Sequence, residues 1–200
     1  MLTSRLPALR TAAVAAAALA VAACFTGPAT ASQTRPRPFT LTSPDFRDGG
    51  RLPAWTEYGG YPDVTGCNGK NLAPELDWLG APAGTAGYAL LVNDPDAPLA
   101  GGWHHWVLYD IPGAAHQIDG HGTLQFTQGA DSFDVNGLPG AGWGGPCPPP
   151  TGQVHHYVFT LYALSVPTLP EPGLTYKEVT AAIEPSVLGA TSIVGTFRLP

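Results

Sequence analysis

Charge is what this 200-residue sequence has least of. Asp, Glu, Lys and Arg together make up only 12% of it. Basic residues are the scarcer sign, nine against fifteen acidic, and they form no run. That balance argues against nucleic-acid binding and against nonspecific attachment to anionic lipid. Cysteine occurs three times and methionine once. Long unbroken helical patterns are missing as well, because 22 prolines and 25 glycines punctuate the chain. A helical bundle is thereby excluded, and short strands joined by many turns are favoured. No serine sits in a nucleophile-elbow pattern and no HExxH occurs, so two common hydrolase signatures are absent. The low charge does not mean disorder: 44% of residues are hydrophobic, whereas disordered chains combine low hydrophobicity with high net charge. The length suits one domain, or at most two small ones.

The first residues read as an export signal. Arg5 and Arg10 precede the apolar run Thr11–Ala23, which is shorter than the roughly 20 residues a bilayer span needs. Two processing sites stand open. Ala29-Thr30-Ala31 before Ser32 fits signal peptidase, while Val21-Ala22-Ala23-Cys24 resembles a lipobox that would leave Cys24 lipidated. The expected organisation is a signal peptide over 1–31 (or a lipoprotein signal ending before Cys24), a flexible leader over 32–38 and a folded domain over 39–200. The expected location is outside the cytoplasm, secreted or anchored in the envelope through Cys24. Loss of residues 1–23 removes two basic and no acidic residues, moving the net charge from −6 to −8. Any anion the mature chain binds is therefore held by a local arrangement working against the overall field. Cys67 and Cys147 remain after processing. Export favours a disulfide between them, the alternative being two buried thiols.

Phe39–Ser43 alternates apolar and polar residues as a strand does. Tyr88–Val92 is nearly all apolar and reads as a central strand buried on both faces. Trp103–Tyr109 and Val154–Leu164 are two further strands, with a final one over Thr191–Phe197. Residues 113–153 form a Gly-rich region without periodicity, too long to be a plain connector. Thr175 followed by Glu178 has capping-box spacing and predicts a helix with Val179, Ile183 and Val187 on one face, which Pro185 ends or kinks.

Polar and titratable residues gather at the strand ends. Asp94 and Asp96 stand where the apolar strand stops, in an Asp-Pro-Asp-Ala-Pro turn. Strict alternation puts Trp103, His105, Val107 and Tyr109 on one face and His104 on the other. The same rule puts His155, Tyr157, Phe159 and Leu161 together, opposite His156. Two histidines, each beside an aromatic, could thus line one pocket, with Gly142–Pro150 as its rim. Taken singly, each piece is more often structural than functional: strand histidines are usually satisfied core residues and Asp-Pro turns usually plain turns.

The combination carries more. Asp94-Pro-Asp-Ala-Pro98, Trp103-His-His-Trp-Val107, Gly145-Pro-Cys-Pro-Pro149 and His155-His-Tyr157 occur in that order. Together they resemble the phosphatidylethanolamine-binding protein family, in its bacterial Raf-kinase-inhibitor-like branch. Cys67–Trp78 is similar to the segment that precedes the first central strand there. The resemblance spans about residues 39–198. It implies a mostly β fold in which a large central antiparallel sheet packs on a smaller sheet, with a short C-terminal helix. It also implies a surface pocket for a small anionic ligand, phosphate or a phospholipid head group. The matching pocket residues are Asp94, His105, Pro148, His155 and Tyr157, with Gly145 and Trp103 close by. One departure is Pro185-Ser186, where related chains often carry Gly-His. Within the pocket, a histidine can donate to a phosphate oxygen, a carboxylate nearby favours its charged form, and backbone amides of the Gly-rich stretch add donors. Asp94 repels a dianion, so it orients His105 or His155 or meets a cationic ammonium. No cofactor, metal or catalytic residue is expected. Two rival readings are an inhibitor acting on a protease or other partner, and a hydrolase using the Asp/His cluster with a metal or by acid/base chemistry.

Overall fold

The computed structural model describes residues 37–59, 66–120, 126–130, 133–135, 138–140 and 142–200. The expected signal segment, Cys24 and most of the expected leader lie outside the described residues. Residues 36–200 form one compact unit.

Two sheets stack. The smaller has the order β1 (Thr40–Thr42), β3 (Leu76–Leu79), β6 (Gln117–Ile118). The larger comprises β2 (Gly50–Arg51), β4 (Gly87–Asp94), β5 (Trp103–Pro112), β7 (Thr127–Gln128), β10 (His155–Leu164) and β11 (Val187–Phe197). Its order is β2-β11-β10-β4-β5-β7, antiparallel throughout except where the short β2 runs parallel to β11. A separate hairpin pairs β8 (Phe133–Val135) with β9 (Leu138–Gly140). The expected large-on-small arrangement is the one observed. The region 113–153 holds the short strands β6 to β9, each too brief to leave a periodic signature.

Alternation along the long strands sorts side chains between two cores. Tyr88, Leu90 and Val92 of β4 point toward the small sheet, joining Tyr157, Phe159 and Leu161 of β10 and Leu41, Leu76, Trp78 and Ile118. Ala89 and Leu91 point the other way, where Val107, Tyr109, Leu164, Val179 and Ile183 form the second core. So β4 is buried on both faces, as its apolar run predicts.

The single described α-helix, α1 (Tyr176–Ile183), covers that second core. Its start is the expected capping box: the Glu178 amide donates to Thr175 Oγ1 at 3.3 Å, and the Thr175 amide donates to Glu178 Oε2 at 2.9 Å. Val179 and Ile183 are buried. Val187 does not continue that face. Pro185 diverts the chain into a 3-10 turn over Glu184–Ser186, and Val187 instead opens β11 as an exposed residue. The last strand therefore begins four residues before the expected Thr191.

Candidate functional site

β4 lies between β10 and β5, so the strand order alone sets Asp94 between the two histidine-bearing strands. Asp94 follows Leu90 and Val92 at two-residue spacing and faces the small-sheet side with them. His155 precedes Tyr157 and Phe159 on that same side of β10. The two meet directly: His155 Nδ1 lies 2.7 Å from Asp94 Oδ2, both side chains about 5% exposed or less. The other Asp94 oxygen accepts the Asp96 amide at 2.9 Å. Of the two expected orienting roles for Asp94, the observed one is toward His155.

His105 arrives at the site by a different route from strict alternation. His104 pairs with Asn93 and Trp106 with Val92, so His105 is an extra residue in β5, a β-bulge against β4. The bulge sends both His105 and Trp106 to the small-sheet side. The expected grouping of His105 with Val107 and Tyr109 is therefore incorrect, because those two belong to the helix-side core. His104 shares their side, stacked on Tyr176 of α1 at 3.9 Å between ring centres. His105, rather than His104, lies beside Tyr157, its ring packed edge-on with centres 4.8 Å apart. A second bulge at Tyr109 and Asp110, against Ala89, returns Ile111 to the small-sheet core.

The Gly-rich rim is tied down at several points. His105 and Gly144 bond twice: the Gly144 amide donates to the His105 carbonyl at 2.8 Å, and His105 Nδ1 donates to the Gly144 carbonyl at 2.6 Å. Asn71 accepts the Gly145 amide at 2.7 Å and donates to the Trp143 carbonyl at 3.1 Å. The Trp143 indole donates to the Thr56 carbonyl at 3.2 Å. A Cβ at Gly145 would lie 2.1 Å from that same Thr56 oxygen, so no larger residue fits without moving the backbone. Cys67 and Cys147 form a disulfide across a separation of 80 residues, and Pro148, beside it, is buried. The Gly144 and Gly145 amides are thus spent inside the protein, so of the Gly-rich stretch these two are not donors to an anion.

Asn71 belongs to the site's frame but has no place among the expected pocket and rim residues. Asn71 adopts φ +53°, a conformation Asn tolerates better than most residues. Its identity is the one local signal that marks it. Asp96 Oδ2 accepts both the backbone amide (2.8 Å) and Nδ1 (2.7 Å) of His156, clamping the turn after β4 onto β10. Burial pushes the Asp96 carboxyl up, but the hydrogen bonds from His156 outweigh this and hold it below the usual range. Trp103, half-buried, is the backbone register partner of Asp94 at the end of β5. Ser186, at the departure noted above, lies at the far end of β10: its carbonyl accepts the Ser165 amide and its hydroxyl bonds the Ile183 carbonyl.

Two environments define the chemistry. Burial drives His105 down from 6.5 to about 4, against the opposing pull of the Gly144 carbonyl and Asp94, so the ring is neutral at neutral pH. Tyr157 is wholly buried, and its hydroxyl has no hydrogen-bond partner among the described residues. Burial first, and then the charges of Asp94 and Asp96, push its ionisation well above the usual phenol range, keeping the hydroxyl a donor. Nothing among the described residues groups three or more metal-ligating side chains, and no described helix is long and apolar enough to cross a membrane.

The sequence pattern of the family described as phosphatidylethanolamine-binding protein matches residues 42–198. A Mycobacterium tuberculosis protein named as a lipoprotein, LppC, is 39% identical over 162 residues, 80% of this chain and 73% of that protein. A UPF0098 protein of Aquifex aeolicus is 34% identical over 139 residues, 68% of this chain and 80% of its own. Among solved structures, Escherichia coli YbcL, described as a member of the mammalian PEBP family, superimposes with TM-score 0.67 at 28% identity. That match covers 81% of this chain and 99% of YbcL.

Proposed function

The chain belongs to the phosphatidylethanolamine-binding protein family, and on that premise we propose that it binds a small phosphate-type anion or phospholipid head group between Asp94, His105, His155 and Tyr157. It acts as a binding protein outside the cytoplasm. The observation that carries this reading is the Tyr157 hydroxyl, a buried donor without a partner among the described residues, next to a histidine ring. Native proteins rarely leave such a group unpaired, because an unmade buried hydrogen bond costs about 1–3 kcal/mol. A ligand oxygen would complete it. His155 stands ready through Asp94, which fixes its Nδ1–H and leaves Nε2 for the ligand. The frame holding these groups is rigid: a disulfide, a doubly bonded His105–Gly144 pair and the Asp96–His156 clamp. Such preorganisation suits binding of a small group. Export rests on the signal-like N-terminus, the disulfide and the lipoprotein name of one relative.

The test is a titration with phosphoethanolamine followed through the ring resonances of His105 and His155. Both should shift, and Tyr157→Phe should weaken the response several-fold. Saturating ligand that leaves both rings unmoved while shifting residues elsewhere would refute the assignment.

A further inference from the structure

The partners of His105 and Asp94 fix which of their atoms donate and which accept. A carbonyl oxygen can only accept, so the 2.6 Å contact with Gly144 places the proton of His105 on Nδ1. The ring is 4% exposed and packed edge-on against Tyr157 and tilted against Trp143. The carboxylate that could have charged it is engaged elsewhere: Asp94 Oδ2 is bound to His155 and Oδ1 to the Asp96 amide. The charged and titratable groups around His105 are Asp94 on β4, His155 and Tyr157 on β10 and His104 on its own strand. The Gly144 carbonyl and, less strongly, Asp94 favour a charged ring, while burial first and then His104 and His155 oppose it. Neutral His105 therefore presents a bare Nε2, a pure acceptor, with no hydrogen-bond partner among the described residues. Tyr157 presents the opposite role, a hydroxyl that donates.

We propose that the site selects a phosphoryl group carrying its own acidic proton, a hydrogen-phosphate monoester, whose P–OH donates to His105 Nε2 while another of its oxygens accepts from Tyr157. A phosphodiester has the same single negative charge but only acceptor oxygens, so it sets oxygen against the Nε2 lone pair. This inference rests on the anion-binding reading above and deepens it. Inorganic phosphate, a soluble monoester and the head group of phosphatidic acid share the required chemistry. The diester head group of phosphatidylethanolamine does not.

The experiment is calorimetry on the folded wild-type chain with methyl phosphate and dimethyl phosphate between pH 4 and 8. Methyl phosphate loses its second proton near pH 6. Its affinity should hold below that point and fall about tenfold per pH unit above it, with net proton uptake on binding approaching one per site. Dimethyl phosphate should bind at least about tenfold more weakly at pH 6, and more tightly as the pH falls toward 4, because only His105 can then supply the shared proton. Nitrogen-15 spectra of the histidine rings should show His105 as the Nδ1–H tautomer in the free protein. Failure of both phosphates to bind would refute the anion-binding reading itself. Equal affinity for the two esters, a pH-independent affinity for methyl phosphate, or an Nε2–H tautomer would overturn the inference while leaving that reading intact. Vesicles of phosphatidylcholine with phosphatidic acid, against phosphatidylcholine alone, separate the sources. Co-sedimentation specific to phosphatidic acid assigns a lipid monoester, and its absence with methyl phosphate bound assigns a free one; both outcomes support the shared chemistry.

Discussion

Replacing Tyr157 by Phe should make the ligand-free protein more stable, although it removes a polar group from the heart of the site. The residue is fully buried, and its ring packs among Phe159, Leu161 and the other small-sheet core residues and against His105. Phe preserves all of that apolar contact. What it removes is a hydroxyl with no partner among the described residues, whose burial costs about 1–3 kcal/mol. Part of that cost is recovered by relaxation and solvent, so the expected gain is about 1 kcal/mol. In a domain of this length that corresponds to a rise of roughly 2–4 °C in Tm. The assay is urea unfolding by fluorescence in phosphate-free buffer, paired with calorimetric titration of phosphoethanolamine. The same variant should bind several-fold more weakly, so stability and affinity move in opposite directions. A Tyr157→Phe protein that loses 1 kcal/mol or more in phosphate-free buffer would mean the hydroxyl is already well bonded, and the reasoning fails.

Acidification should destabilise the fold through His105. Its folded value is lowered to about 4 while the unfolded ring titrates near 6.5, so the unfolded chain binds the proton first. Stability from this group is complete above pH 6.5 and declines as the pH falls from there toward 4, by up to about 3 kcal/mol; chemical denaturation at stepped pH checks this, and a His105→Gln chain should lack that part of the slope. Reducing the Cys67–Cys147 bridge frees a loop of 80 residues of sequence separation and should cost up to about 4 kcal/mol. A midpoint unchanged by reductant, with free thiols verified, would show that the bridge contributes nothing to stability.

Much of this protein is written locally. Turn-rich composition, the apolar run of β4, the alternation of β10 and the Thr175–Glu178 capping box are short-range signals, and the strands and helix follow from them. Alternation also placed His155 and Tyr157 on one face correctly, because β10 is regular over that stretch. It failed on β5. There the bulge at His105 is a product of pairing with β4, and a strand cannot reveal an extra residue until its neighbour sets the register. The same limit hid the partner of Asp94, since nothing local chooses between His105 and His155. It hid as well the fate of the Gly144 and Gly145 amides, which are consumed by His105 and by Asn71, 74 residues away from Gly145. Short-range chemistry thus determined which residues are present at each strand end and which way most of them point. The protonation states and hydrogen-bonding roles that define the site came only from tertiary packing, because burial and a partner's fixed donor or acceptor character decide them, and both belong to the folded chain.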